Sequence, residues 1–343
     1  MKSRLLSRRD LDALSDAGSL RALTAALAKT PYRRTLEAAL VRLSEREAIL
    51  VALRDDLEMT VTSLRRFYSG GAAARLNLLL SAYDVRNLKA VLRGLSSHAT
   101  LGEIRTALMP AGTLAHDVLA ELAQAPNARA AIDSVASMGL PFAAPLLRLR
   151  AEKPGATTQE MELRLDQWYF EQALEQAEGL QDETVLNALR LEADLVNVQT
   201  VLRLAGAPEE QDAIKDWLGT EVVNTLFVGP GRLPFELLAR AARQESVAAA
   251  VEILAHTAYG APLAAGMERY RRTGRLSSLE RQLHRHRLAL YSALIARQPL
   301  AIGVVLGYLA LKMNEVDNLR WITNATHLGM KPTSIRAELV YAS

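Results

Sequence analysis

Three stretches of the chain carry the same order of apolar and polar positions: YDVRNLKAVLR at Tyr83–Arg93, ADLVNVQTVLR at Ala193–Arg203 and NEVDNLRWITN at Asn314–Asn324. In each, an acidic residue stands three positions before an asparagine that is followed at once by Leu or Val: Asp84 and Asn87, Asp194 and Asn197, Glu315 and Asn318. At about 100° per residue, Val85, Leu88, Val91 and Leu92 share one helical stripe, as do Leu195, Val198, Val201 and Leu202, and Val316, Leu319 and Ile322. The same wheel puts each acid inside the stripe and each asparagine at its edge. A carboxylate is therefore expected to enter a packed interface, where it needs a basic or backbone partner from a neighbouring helix. Arg93 is on the opposite side of the helix from Asp84 and is not that partner. Arg203 takes the same place in the second stretch, and Asn324 replaces it in the third.

The acids are separated by 110 and 121 positions, close to a third of the 343 residues. Carrying the first stretch onto the third, a shift of 231, also lays IRTAL (Ile104–Leu108) on IRAEL (Ile335–Leu339). A shift of 121 brings GLPFAA at Gly139–Ala144 onto GAPLAA at Gly260–Ala265, and one of 120 brings Thr157–Leu174 onto Ser277–Leu294. GTLAHDVLAEL from Gly112 echoes GRLPFELLARA from Gly231. Self-similarity of this length predicts three helical blocks, 1–112, 113–231 and 232–343, each burying its apolar face on a neighbour and together closing into a ring or cone. Turn signals at Ser69–Gly71, Glu152–Thr158, Ala205–Gln211 and Arg272–Ser278 break the blocks into helices. In the last of these, Ser277 or Ser278 is placed to cap the next helix, and Glu280 completes a capping box with Ser277.

Composition points the same way. With 50% hydrophobic, 23% charged and only 5% aromatic residues, and no period-two alternation, the chain reads as all-α. The longest apolar run, Leu300–Leu311, has about a dozen residues where a membrane span needs roughly 20. The start, MKSRLLSRRDLDALSD, is charged and lacks a signal-peptide core, so a cytoplasmic location is expected. Absence of cysteine removes disulfides and thiolate metal sites, and a net charge of +3 is far below that of a dedicated nucleic-acid binder.

Little catalytic chemistry is offered. No phosphate loop with its Lys-Ser/Thr exists, and GPGRLP at Gly229–Pro234 reads as a turn. His284 and His286 would point about 200° apart on a helix and cannot share a metal. No catalytic residue, metal or cofactor is expected. The most basic stretch, Glu268–Arg287, supplies candidate partner-contact residues: Arg269, Arg271, Arg272, Arg275, Arg281 and Arg285. They would face an acidic partner or lipid headgroups. A helical scaffold or nucleic-acid-binding protein using the same stretch is the alternative, although Tyr270 is the one aromatic there for base stacking.

The thrice-repeated acid-x-x-N-[LV]-[KQR], the run PLAIGVVLGYLALKM leading into NEVDNLRWI, and an early RLL followed by LAKTPY carry a resemblance. From about Arg4 to Leu339 the chain resembles the C-type stalk component of V-type (A-type) rotary ATPases, equivalent to the d-type component of the eukaryotic proton pump. The resemblance implies a funnel of three pseudo-threefold helical units, peripheral on the cytoplasmic face, that sits on the membrane proteolipid ring. It would receive the lower end of the central shaft, built of D- and F-type subunits, and couple ATP chemistry to proton or sodium transport without catalysis of its own. Two departures stand out: the chain opens almost directly at RLL, and Asn324 breaks the match to Arg93 and Arg203.

Overall fold

Between the turn signals the Leu- and Ala-rich segments fold as helices. The structure is a computed structural model that describes residues 5–207, 223–297 and 301–341, and among these there is no strand. The helices are α1 (Arg8–Ser15), α2 (Leu20–Leu27), α3 (Arg33–Leu40), α4 (Glu45–Phe67), α5 (Gly70–Ser96), α6 (Leu101–Ala107), α7 (His116–Leu122), α8 (Ala128–Ser137) and α9 (Ala143–Glu152). They continue with α10 (Thr158–Gly179), α11 (Glu183–Leu204), a turn of 3-10 helix at Val223–Leu226, α12 (Phe235–Ala242), α13 (Val247–Leu254), α14 (Gly260–Thr273), α15 (Ser277–Arg297), α16 (Ile302–His327) and α17 (Pro332–Glu338). Part of the predicted Ala205–Gln211 break (208–211) and Leu300 of the apolar run lie outside the described residues.

Local sequence sets many of the starts. Ser7 with Asp10, Ser44 with Glu47, Thr100 with Glu103 and Thr157 with Glu160 close capping boxes, satisfying amides that a helix start leaves open. Gly274, with a left-handed φ of 67°, ends α14. The expected box at Ser277 takes a different form. Ser277 is already helical, the Ser278 hydroxyl donates to the Arg275 carbonyl at 2.8 Å, and Glu280 accepts from Arg203 at 3.4 Å.

The chain divides into two units, Met1–Ala143 with Leu288–Ser343, and Ala144–Arg287. In the first, α16 is the central rod, packed on α1, α2, α4, α5 and α17. The apolar run that is too short to span a bilayer forms the start of this rod, where Val305, Leu306 and Leu309 are buried. Among the described residues no helix is long and apolar enough to cross a membrane. In the second unit α11 packs on α10, α12 and α13. The stripes predicted by the wheel are buried: Val85, Leu88, Val91 and Leu92 on α5, Leu195, Val198, Val201 and Leu202 on α11, and Val316, Leu319 and Ile322 on α16.

Within the first unit the end of α15 lies so close to α16 that a methyl at Gly307 would press into the Tyr291 carbonyl and the Ile295 side chain. Backbone cannot yield as a side chain does. Gly307→Ala is expected to cost about 1–3 kcal/mol, read as a lower denaturant midpoint at unchanged slope.

Candidate functional site

Each asparagine of the repeated pattern clasps one backbone residue from both sides. Asn87 on α5 donates from Nδ2 to the Met109 carbonyl at 2.8 Å and accepts the Met109 N–H at Oδ1, also at 2.8 Å. Asn197 on α11 holds Val228 in the same way, at 2.8 and 2.8 Å. Asn318 on α16 holds Val340, at 2.7 and 3.1 Å. A primary amide offers one donor and one acceptor side by side, so it pairs with an N–H and a C=O as a second backbone would. All three asparagines are buried, and the clasped segment is thereby fixed in register against the long helix. The clasp spans 22 residues at Asn87 and at Asn318, and 31 at Asn197, whose intervening segment includes the undescribed 208–222.

One helical turn earlier, Asp84 and Asp194 hold the same connector a few residues further on. Asp84, shut off from water, accepts from the Thr113 N–H at 2.9 Å, the Thr113 hydroxyl at 2.6 Å and the Leu114 N–H at 2.9 Å. Asp194, equally buried, accepts from the Arg232 N–H at 2.9 Å, the Leu233 N–H at 3.0 Å and the Tyr259 hydroxyl at 2.9 Å. The glycines before these loops make room for the carboxylates: a Cβ at Gly112 would overlap that of Asp84, and one at Gly231 that of Asp194. This is the physical content of the GTL/GRL echo. Burial pushes both aspartates above the ordinary carboxylate range; the hydrogen bonds they accept pull the other way without overcoming it.

At Glu315 the donors come from Leu6 and Tyr32, early in the chain, and from Lys312 on the same helix. Glu315 accepts from the Leu6 N–H, from the Tyr32 hydroxyl at 2.6 Å and from Lys312 at 2.9 Å. Lys312, 2% exposed, also pairs with the buried Asp56 of α4 at 2.7 Å and lies over the Tyr32 ring at 4.3 Å. Burial and then the charge of Glu315 hold the Tyr32 phenol well above its ordinary range, so it stays a donor.

The sequence reading missed Thr113, Tyr32, Tyr259, Lys312 and Asp56. A signal for the tyrosines was present: Thr30-Pro31-Tyr32 and Thr257-Ala258-Tyr259 stand directly before α3 and α14, and both threonine hydroxyls donate to a carbonyl three residues back at 2.7 Å. The residue before α9 is Phe142, which brings no hydroxyl, and there Thr113 supplies its own. Helix starts also correct one sequence match. Phe142 and Tyr259, 117 apart, occupy like positions before α9 and α14. Gly139 follows α8 with φ 65°, whereas Gly260 opens α14, so the shift of 121 paired residues with different roles.

The remaining candidates lie elsewhere. Arg93 and Arg203 are exposed near the ends of α5 and α11, and Arg203 pairs with Glu280 at 3.4 Å. Asn324 accepts from Arg46 of α4 at 2.9 Å. Arg271, Arg272 and Arg275 are exposed around the α14–α15 turn. Arg269, Arg281 and Arg285 form a partly buried cluster of like charge, in which burial, then Arg269 and Arg285, push Arg281 down to about 10. His286 packs edge-on to Tyr259 at 5.9 Å, and burial lowers its pKa. Among the described residues no three His, Asp or Glu converge as metal ligands would.

What the three motifs hold is chain, not substrate: each carboxylate is wrapped by donors and each amide pairs with the N–H and C=O of one backbone residue. Asn197→Ala strands the Val228 N–H and C=O and should cost about 2–5 kcal/mol in equilibrium unfolding, whereas Asn87→Ala and Asn318→Ala should cost less, since the Met109 carbonyl keeps the Ala111 N–H and the Val340 carbonyl keeps the Asn314 amide, both at 2.8 Å. The raised aspartates add a pH signature. The folded chain binds their protons more readily than the unfolded chain does, so their contribution to stability grows as pH falls through the raised values toward 3.8. Thermal unfolding across that window should show the parent gaining on Asp194→Asn as pH falls.

The comparisons agree along the whole chain. Residues 1–338 match the family described as ATP synthase (C/AC39) subunit. The C-type component of the A-type ATP synthase of Methanosarcina acetivorans is 26% identical over 349 residues, covering 99% of this chain and 90% of the relative. The protein of the same name from Pyrococcus abyssi is 26% identical over 342 residues, covering 98% and 86%, and that from Halobacterium salinarum 26% over 315, covering 90% and 86%. The chain belongs to the ATP synthase (C/AC39) subunit family.

Proposed function

We propose that this chain is the non-catalytic central-stalk subunit of a V/A-type rotary ATPase. It acts as a socket joining the rotor shaft, made of D- and F-type subunits, to the membrane proteolipid ring on its cytoplasmic face. The observation that carries the reading is the family match over residues 1–338, together with relatives named as the C-type component of an A-type ATP synthase. Torque passed through such a part turns ATP hydrolysis or synthesis into proton or sodium movement.

The socket is read as three helical blocks, 1–112, 113–231 and 232–343, closing into a funnel. The recurrence of one acid–asparagine lock at residues 84/87, 194/197 and 315/318 supports this. So does the common spacing of α1–α3 and α12–α14, which start at 8, 20 and 33 and at 235, 247 and 260. In this reading Leu6 at Glu315 closes the series: the first block is received by the last acid as the second and third are by Asp84 and Asp194. Locks of buried polar groups suit a part that must transmit torque without local unfolding. The arginines from Arg269 to Arg285 are the surface proposed to meet acidic residues of the shaft.

Complexes reconstituted without the subunit should hydrolyse ATP yet pump no ions, and adding it back should restore coupling. Full pumping in its absence would refute the socket role. Its affinity for a purified D–F shaft should fall about tenfold or more between 50 and 500 mM salt, since exposed charge pairs are screened.

A further inference from the structure

Seven large apolar side chains among the described residues stand well out of the fold, and four of them gather at one place in the first unit: Val41 at 80% exposed, Leu43 at 38%, Leu101 at 37% and Leu328 at 75%. Val41 and Leu43 lie in the turn between α3 and α4. Helix direction brings Leu328 to them. Arg46 donates to Asn324 at 2.9 Å and Lys312 pairs with Asp56 at 2.7 Å, so α4 and α16 run antiparallel, and the turn that follows Asn324 carries Leu328 level with Arg42. Leu101 joins from α6, because Leu43 borders the same hollow as its neighbours Thr100 and Gly102. Single exposed apolar residues are ordinary; four gathered in one place mark a surface that another polypeptide covers.

The charged rim of this patch separates its possible occupants. Arg42, His327 and Lys331 are exposed beside it in the chain. So are Glu47 and Glu103, and their capping-box bonds to Ser44 and Thr100 hold both carboxyls below the ordinary range, so they stay ionised at neutral pH. A bilayer of anionic headgroups would meet those fixed negative charges, whereas a polypeptide answers each sign with its opposite.

Within the repeated blocks the turn has a counterpart. α3 and α14 start at 33 and 260, and α4 and α15 at 45 and 277, so the α3–α4 turn holds the place in the first block that the α14–α15 turn holds in the third. The counterpart is basic, with Arg271, Arg272 and Arg275 exposed, and is the surface assigned above to the shaft. We propose that the α3–α4 turn contacts that same shaft through apolar side chains: Val41, Leu43, Leu101 and Leu328 receive the apolar foot of a polypeptide whose flanking residues carry both signs of charge. The assignment rests on the socket reading and adds to it a contact that salt does not weaken, since apolar burial is not screened.

The test measures binding of the full chain to a purified D–F shaft. Val41→Asp and Leu328→Asp, each with its unfolding temperature checked against the parent, should weaken binding at least about tenfold, and the weakening should persist at about 500 mM salt, where the arginine contribution is screened. Phe67→Asp, at a position 78% exposed at the far end of α4, should leave binding unchanged. A parent chain that does not bind the shaft overturns the socket reading and this contact together. A parent that binds while both variants bind equally well, or a Phe67→Asp chain weakened as much as they are, overturns the apolar contact alone. So does loss in the two variants of self-association, or of binding to vesicles of anionic phospholipid, with shaft affinity intact.

Discussion

A carboxylate set inside an apolar stripe cannot be left to itself, and the fold is organised by what meets it. Isolated in a protein interior, the charge would cost several kcal/mol; supplied with two or three donors it becomes a fixed point. Asp84, Asp194 and Glu315 each collect backbone N–H from remote chain; the asparagine one turn later holds the same connector four residues earlier at Asn87 and Asn197, and a separate segment at Asn318. Apolar packing alone would tolerate sliding of those segments along the long helices. A two-point polar clasp does not, because a shift of one residue would break both hydrogen bonds in a buried setting. Leucine burial supplies cohesion, and the locks supply register.

Much of this was legible. The stripe on α5, α11 and α16, the burial of its acids and the need for partners all follow from helical periodicity and the cost of burying charge, and the structure places those residues accordingly. The donors were not legible, since a loop N–H has no sequence signature and any residue but proline after Gly112 or Gly231 would offer one. The tyrosines hid for a different reason. Tyr32 and Tyr259 act through a hydroxyl whose place in the first lock is taken by Thr113, so no single alignment column carries the role. The match of Gly139–Ala144 to Gly260–Ala265 fails for a related reason: Gly139 follows a helix where Gly260 begins one.

Lys312 shows how far a buried charge can be read from sequence. It stands within GYLALKM, three residues before Glu315, where the lysine would ordinarily snorkel to water. Here it is enclosed by Asp56, Glu315 and the face of Tyr32. Recognising this requires knowing that α4 brings a second carboxylate, Asp56, to the same place, a fact of tertiary packing. Against one lysine stand two carboxylates, and the Leu6 N–H and Tyr32 hydroxyl complete the shell of Glu315. Removing the lysine alone would leave two buried acids facing each other, the costliest outcome for such a cluster.

The difference between the locks follows from chain length. Thr113 reaches Asp84 across 29 residues, whereas Leu6 reaches Glu315 across 309. With loop-closure entropy growing as the logarithm of length, the longer closure costs about 2 kcal/mol more. A hydrogen bond to a charged group contributes about 1.5–3 kcal/mol, so one further such bond offsets the deficit. Glu315 accepts three bonds, as Asp84 and Asp194 do, but one of its donors is the charged Lys312 ammonium, which extends the lock to Asp56 on another helix. The most distant closure is also the one reinforced by buried ions, which is the order expected if a contact across 309 residues is the hardest to hold.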